Sequence, residues 1–390
     1  MGSGIAYASA LRGLPVLLND TSLALAERGK SHSASLSVRR VERGQMSIEQ
    51  HEQLLARITP SATIDDLAGC DLIIEAVFEQ TALKQQVIQA SSRLLAEGGV
   101  FASNTSTLPI GGLASSAAWP ERFIGLHFFS PVDRMQLVEI VKGQRTSPET
   151  VARAYDYVQQ IGKLPIVVND ERGFFTSRVI RTFLLEAAGM LDEGFLPAAI
   201  ENAALQVGFA VGPLALLDEI SLSPALAIID ENRQAAEAVG QPCQATRGEA
   251  IVRRMVVKYG CVGKAAGAGF YEYPVEGKKF LWPQLNSFAK AQVGSEPLDV
   301  RALGERMLMM QALEAVRCLE EGVLESTRDA NIGSIFGIGF PGWTGGTVQY
   351  INYIGVQTFA ARAAQLAQAY GPRFAPPALL LARAEQGIGF

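Results

Sequence analysis

The sequence predicts an α/β protein: a doubly wound, mostly parallel sheet followed by two duplicated all-helical domains. Three observations carry this expectation. Up to about residue 165, short apolar runs alternate with helical stretches, the pattern of strands joined by crossover helices. From about residue 173 onward the periodicity is helical. Within that part the chain repeats itself at a fixed offset, with Arg178, Glu186, Ala187, Leu191, Glu193 and Gly194 recurring as Arg306, Glu314, Ala315, Leu319, Glu321 and Gly322.

Gly2-Ser-Gly-Ile-Ala-Tyr-Ala-Ser-Ala-Leu-Arg12 reads as the first helix, and Pro15-Val-Leu-Leu-Asn-Asp20 as the strand after it. Residues 22–57 are polar and helix-forming, an insertion that carries Arg28, Lys30, Arg39, Arg40 and Arg43. Further strands are expected at 71–77, 99–102, 123–127 and 165–169, with Leu137-Val-Glu-Ile140 as another. In each helical copy a Gly-Phe pair precedes a Gly-Pro or Pro-Gly pair: Gly208-Phe-Ala-Val-Gly-Pro213, then Gly339-Phe-Pro-Gly342. The polar stretch Lys278 to Pro297 is the expected connection between the copies. The resulting domains are 1–170, 171–280 and 295–390. The second copy lacks the GFFTSR opening and the GAGFYEY close of the first, so it is expected to be a structural partner and not a second active site.

At 390 residues the chain is long enough for two or three domains with ample core. A charged fraction of 19% and a net charge of −5 argue against nucleic acid as a partner. Cys70, Cys243, Cys261 and Cys318 follow no metal or disulfide spacing, which fits a reducing, cytoplasmic setting. The apolar run Ala6 to Leu18 is interrupted by Arg12 and has no basic region before it, so it does not read as a leader. Nor does any stretch approach the roughly 18 uninterrupted apolar residues of a membrane span.

The chemistry concentrates in a few polar residues at strand ends. His127, one of three histidines, closes the apolar run Phe123-Ile-Gly-Leu, and Pro131 then stops the ladder; Glu139 follows on the next strand. Val100-Phe-Ala-Ser-Asn-Thr-Ser106 is an apolar strand ending in hydroxyls and an amide. A base, an orienting carboxylate and a hydroxyl donor are the parts that move a proton from an alcohol. A solitary histidine between aromatic residues can also be a satisfied core residue, whereas His32 and His51 lie in polar helical sequence and are expected at the surface. Gly2 matches the third glycine of a G-x-G-x-x-G dinucleotide turn, which would put Met1 and Gly2 against a pyrophosphate. The strand and two glycines that belong before it are absent from this sequence, which reads as a truncated sequence or a misplaced start. Asp20, at the end of the next strand, stands where an acid hydrogen-bonds a ribose 2′-hydroxyl and favours NAD over NADP. Within Asn19-Asp-Thr-Ser22 the alternative is that it caps the following helix, and the two roles can coexist.

Taken together, DLIIEAVFE (71–79), ASNTS (102–106), GLHFFSPV (125–132), LVEI (137–140), GFFTSR (173–178), VGPLALLDE (211–219) and GAGFYEY (267–273) resemble the 3-hydroxyacyl-CoA dehydrogenase family over nearly the whole chain. Gly337-Ile-Gly-Phe-Pro-Gly-Trp-Thr-Gly-Gly346 and Arg373-Phe-Ala-Pro-Pro look like the end of multifunctional fatty-acid oxidation enzymes, though no hydratase segment is present. The resemblance implies a Rossmann-like first domain and NAD-dependent oxidation of an L-3-hydroxyacyl-CoA to the 3-ketoacyl-CoA, as in β-oxidation. It implies His127 as general base, Glu139 as its partner, and Ser106 on the substrate oxygen and near the nicotinamide. Val77, Phe78, Glu79 and Lys84 would border the cofactor, although Glu79 and Lys84 as bare residues could be a helix-surface pair. The helical pair at 22–57, Lys30 included, would cover the CoA, or else be a solvated charged face. Three positions depart from the commonest pattern. Ser130 stands where many members have Asn near the nicotinamide, Ser177 where many have Asn beside the substrate, and Phe336 where some have a substrate-side Tyr. An acyl-CoA substrate, a hydratase or thiolase partner and a homodimer are the associations implied. A structural protein of the same fold, or a dehydrogenase of small free 3-hydroxy acids, are the competing readings.

Overall fold

A computed structural model describes residues 1–238, 240, 245–288 and 299–390. The chain divides into two compact units, Met1–Ser177 with Glu321–Gly337, and Arg178–Glu320 with Ile338–Phe390.

The first unit is the expected α/β part. Helix α1 (Gly2–Leu11) leads to β1 (Val16–Asn19), followed by the helical pair α2 (Leu23–Glu42) and α3 (Ile48–Ala56). Then come β2 (Ile58–Ser61), β3 (Cys70–Glu75), α4 (Thr81–Ser91), β4 (Leu95–Ser103) and α5 (Ile110–Ala114). Strands β5 (Phe123–Phe128) and β6 (Leu137–Lys142), helix α6 (Pro148–Gln160), β7 (Leu164–Asn169) and the start of α7 (Thr176–Glu193) complete the run. The strands form two sheets: β1 pairs with β2 in parallel, and a five-stranded sheet has the order β3-β4-β5-β6-β7, antiparallel only between β5 and β6. Strand β2 was not expected, because Ile58-Thr-Pro-Ser61 is short and contains a proline; it lies at a sheet edge, where a missing N–H is tolerated.

Helix α1 carries no charged residue and is buried from Gly4 to Ala10. Tyr7 and Ala10 pack with Leu54 and Ile58 near the small sheet, whereas Ile5 and Ala8 join Val100, Leu126, Val138, Ile140 and Val158 on the large one. Alternation along the strands then fixes what lies on the other face. Ile124, Leu126 and Phe128 point toward α1 and α6, so Phe123, Gly125 and His127 point away. A Cβ on Gly125 would come within 2.7 Å of Ile110 on α5, so only glycine fits under that helix.

In the second unit the duplicated helices share one core. It comprises most of α7, then α8 (Pro197–Gln206), α9 (Pro213–Ile220), α10 (Leu222–Ala238), α11 (Arg247–Arg253) and α12 (Val300–Glu320). After α13 (Thr327–Ile338), which counts with the first unit up to Gly337, it continues through α14 (Thr347–Ile354), α15 (Val356–Tyr370) and α16 (Ala378–Gln386). The repeat noticed in sequence is expressed as reciprocal ion pairs. Arg178 Nε donates to Glu314 at 2.9 Å, and Arg306 Nε to Glu186 at 2.9 Å, so each copy's arginine meets the other copy's glutamate. This is the pattern of a two-fold interface. The Gly-Phe pairs meet as well, with the Phe209 and Phe340 rings edge to face at 6.1 Å.

The 278–297 connection is partly structured, since β9 (Phe280–Leu281) pairs with β8 (Tyr271–Glu272); residues 289–298 lie outside the described part, as does Cys243. The first unit runs to Ser177 and takes in residues 321–337 of the second copy. The reason is hydrogen bonding along the edge of β7: Asn169 N donates to Val323 O at 2.9 Å and Val167 N to Asp329 Oδ2 at 3.2 Å. Covering an edge this way removes its unpaired donors.

Candidate active site

The register of β5 and β6 pairs His127 directly with Glu139. Both side chains therefore lie on the sheet face away from α6, and a slip of one residue would send them to the opposite face. His127 Nδ1 is 2.8 Å from Glu139 Oε2, with the imidazole 7% and the glutamate 0% exposed. Among the described residues Nε2 has no hydrogen-bond partner. Phe129 and Phe174 flank the ring, with centroids at 4.4 Å and 6.1 Å.

Glu139 is held from a second direction by the start of α7. Its Oε1 accepts the N–H groups of Phe175 at 2.9 Å and Thr176 at 3.1 Å, and its Oε2 accepts the Thr176 hydroxyl at 2.8 Å. Every contact uses the carboxylate as an acceptor, leaving it one orientation toward the imidazole. Gly173 (φ 79°) and Phe174 (φ 46°) both adopt left-handed backbone there, which turns the chain so that consecutive N–H groups face Glu139.

The second group lies where β3 and β4 end. Glu79 Oε1 accepts from the Thr105 hydroxyl at 2.7 Å and from the Ser106 and Thr107 N–H groups at 2.9 and 3.1 Å, with the Ser106 Oγ at 3.3 Å. Burial pushes the Glu79 carboxyl up, but Thr105, the two N–H groups and Lys84 outweigh it and hold the group below its ordinary range. Asn104 Oδ1 accepts the N–H of Phe128 at 2.9 Å, tying this loop to the residue after His127. Ser106 is exposed.

Asp20 is exposed after β1, with Oδ1 accepting the Thr21 N–H at 2.7 Å. The alternative that it caps α2 is corrected: Ser22 is the cap, accepting from Leu25 N. Beside β3, the Cα of Gly2 faces Ala76, where an added Cβ would lie 3.9 Å away, and no side chain caps the start of α1. A strand-end carboxylate that is not used as a cap is free to accept from a ribose hydroxyl. Val77 is half-buried, and Phe78 is 82% exposed.

Residues 1–171 match the family description 3-hydroxyacyl-CoA dehydrogenase, NAD binding domain, and residues 173–273 match 3-hydroxyacyl-CoA dehydrogenase, C-terminal domain. A solved (S)-3-hydroxybutyryl-CoA dehydrogenase from Ralstonia eutropha is 34% identical, with 70% of this chain and 95% of that one covered and a TM-score of 0.65. The chain belongs to the 3-hydroxyacyl-CoA dehydrogenase family. Among other similar structures, 3-hydroxybutyryl-CoA dehydrogenase from Escherichia coli is 25% identical, covers 99% of this chain and 96% of its own, and has a TM-score of 0.84. The dehydrogenase part of multifunctional enzyme 1 from C. elegans shares the fold at 22% identity, with 98% and 86% covered and a TM-score of 0.67. The NAD-binding domain makes NAD the cofactor of this 3-hydroxyacyl-CoA dehydrogenase family member.

Other expected positions fall at different depths. Ser177, on α7, and Lys30, on α2, are half-buried; Ser130 is exposed, and Phe336, on α13, is 39% exposed. No hydrogen bond joins any of these four to His127 or Glu139 among the described residues. The surface-pair alternative for Glu79 and Lys84 is corrected, since Lys84 is fully buried. Its ammonium lies 3.0 Å from both Glu75 carboxylate oxygens and 3.6 Å from Glu79 Oε2. His51 is likewise not a free surface residue: it is half-buried, with Nδ1 2.8 Å from the Ser37 hydroxyl, because α3 folds back on α2. Sequence reasoning missed Glu75, Asn104, Phe175 and Thr176. Each acts by supporting a neighbour, which nothing in spacing or composition marks. No helix among the described residues is long and apolar enough to cross a membrane, and no group of His, Cys, Asp or Glu among them could hold a metal ion.

Proposed function

We propose that this chain is an NAD-dependent L-3-hydroxyacyl-CoA dehydrogenase, interconverting a 3-hydroxyacyl-CoA and its 3-ketoacyl-CoA in fatty-acid oxidation. The buried His127–Glu139 pair, with Nε2 left without a partner, carries the reading. NAD, when bound, supplies the acceptor for the C3 hydride. His127 Nε2 takes the hydroxyl proton, while Glu139 holds Nδ1–H and offsets the charge of the imidazolium that forms. Ser106 donates to the substrate oxygen. Met1 and Gly2 at the start of α1 would face the pyrophosphate, Asp20 the adenosine ribose, and Val77, Phe78, Glu79 and Ser130 the rest of the cofactor edge. Lys30, Ser177 and Phe336 are assigned to the acyl-CoA. Serine at 130 and 177 reaches less far than asparagine, so a bridging water would complete oxygen positioning there. Relatives described as 3-hydroxybutyryl-CoA dehydrogenases support a CoA thioester over a free acid.

Reduction assays with acetoacetyl-CoA and free acetoacetate, each with NADH and NADPH, test the proposal. NADH oxidation with the thioester is expected to dominate, since Asp20 would repel a 2′-phosphate and leave it without a cationic partner. Faster turnover of acetoacetate would make the chain a free 3-hydroxy acid dehydrogenase. Failure to bind NADH in a fluorescence titration would make it a structural protein of the same fold.

A further inference from the structure

The loop that joins β5 to β6, residues 129–136, carries Ser130 and is bonded along its backbone by a cation that the proposed chemistry does not use. Lys163 Nζ donates to the carbonyls of Val132 at 2.7 Å and Met135 at 2.6 Å. Among the described residues no other hydrogen bond reaches these two oxygens. The N–H groups of Arg134 and Met135 both turn back to the Pro131 carbonyl at 3.0 Å, and the Gln136 carbonyl accepts the Leu164 N–H at 2.8 Å. Two loop residues pack on parts of the site: the Phe129 ring lies 4.4 Å from the imidazole of His127, and Val132, 4% exposed, sits on the first turn of α1, where a Cβ on Gly4 would come within 2.9 Å of it. Lys163 reaches this place through the end of α6. Gly162 N donates to Gln159 O at 2.8 Å and Lys163 N to Val158 O at 3.0 Å, with Gly162 left-handed at φ 74°, a glycine-closed helix end that sets Lys163 one residue before β7. The side chain is half-buried; burial pulls its ammonium below the ordinary range, and Asp133 on the loop acts the other way.

We propose that Lys163 is a positioning residue that fixes the 129–136 loop and, through it, the Ser130 hydroxyl at the nicotinamide edge. This rests on the reading of Ser130 as a cofactor-edge residue. The loop has little apolar burial of its own, since Ser130, Pro131, Asp133, Arg134 and Gln136 are all exposed, and such segments open at low cost. One ammonium offers three donors from a single point, so it bonds both carbonyls at once, and a charged donor binds a carbonyl more strongly than a neutral one does. Serine makes this accuracy matter. Its hydroxyl hangs on a single rotatable bond and cannot follow a loop that drifts, so the backbone has to supply the placement. A displacement of about 1 Å in a positioned group can cost about a hundredfold in rate.

The test uses the full chain carrying Lys163→Met, Lys163→Arg, Ser130→Ala, and Lys163→Met together with Ser130→Ala. In Lys163→Met the amides of Arg134 and Met135 should lose protection against hydrogen exchange, while those of β4 keep theirs. The kcat with acetoacetyl-CoA should fall about ten- to a hundredfold, with KM for the thioester within about twofold of the parent. Lys163→Arg keeps cationic donors and should recover most of both losses. In a chain that already has alanine at 130, the Lys163→Met change should cost about twofold or less in kcat, because the group that Lys163 places is gone. Losses that multiply in the double variant overturn the inference, since Lys163 would then act elsewhere. So does parent kcat with parent protection in Lys163→Met, or a fall in kcat with the loop amides still protected. Should Lys163→Met fail to fold, Lys163→Gln, which keeps an amide donor near the loop, carries the same comparison. Parent kcat in Ser130→Ala removes the reading of Ser130 on which the inference rests. Should the parent itself fail to reduce acetoacetyl-CoA, the functional reading falls, and the exchange rates still decide whether Lys163 holds the loop.

Discussion

His127 is fixed at one nitrogen and open at the other, which separates orientation from proton transfer. Glutamine at this position keeps a donor and an acceptor but cannot carry the proton. His127→Gln is therefore expected to lower kcat by roughly 10²–10⁴-fold while leaving the Kd for NADH unchanged, as checked by absorbance kinetics and fluorescence titration. Thr176→Val removes one of the donors that hold Glu139, and a single lost hydrogen bond of about 1 kcal/mol corresponds to a fall in kcat of several-fold. Equal kcat in parent and variant would show that the two N–H groups suffice. Glu79 gives a pH dependence whose sign is set by its environment. Its carboxyl is held below the ordinary range in the folded state, so its contribution is complete above the pH where an unfolded glutamate titrates. That contribution is lost as pH falls through the lower, folded value. The protection of the 105–107 amides, measured against their intrinsic exchange rates, should fall in acid, and Glu79→Gln should remove that acid step.

Between residues and elements, capping shows what a sequence can and cannot disclose. Asn19, Asp20, Thr21 and Ser22 are all capping types, and only the backbone decides among them: Ser22 has the extended φ of −147° and ψ of 152° that aim its oxygen at Leu25 N. Ser22→Ala is expected to cost about 1 kcal/mol of stability in urea titrations, and Asp20→Ala close to nothing, while only the latter relaxes the preference for NAD over NADP. The alternation of Phe123 to His127 and the rarity of histidine made β5 and its catalytic candidate readable in advance. The strand after it was readable too, and with it Glu139. Glu75 was not, because an acid inside the expected strand 71–77 shows no sign of its partner until Lys84, nine residues on, is seen to reach it from α4. Phe175 and Thr176 stayed silent for a similar reason: their contribution is largely main-chain N–H at a helix start, which every residue but proline carries. His51 was misjudged because the polar character of 22–57 says nothing about how α2 and α3 pack on one another.

At the scale of the whole molecule, the duplicated helices behave as an interface enclosed within one chain. Arg306, 1% exposed, meets Glu186 and Glu193 and lies over the Tyr370 ring at 3.8 Å. Arg306→Met leaves those carboxylates in a dry core with Arg373 as the remaining cation, and a loss of about 3–5 kcal/mol is expected in urea denaturation of the helical unit. A smaller loss would mean that Arg373 already suffices. The edge cover on β7 has a consequence in time. Its donors at Val167 and Asn169 are met by Asp329 and Val323, which leave the ribosome long after the strand does. At about 5–20 residues per second, the sheet spends roughly eight to thirty seconds of synthesis with that ladder open to any passing strand. A nascent chain stalled before residue 321 should therefore be the form that chaperones hold longest.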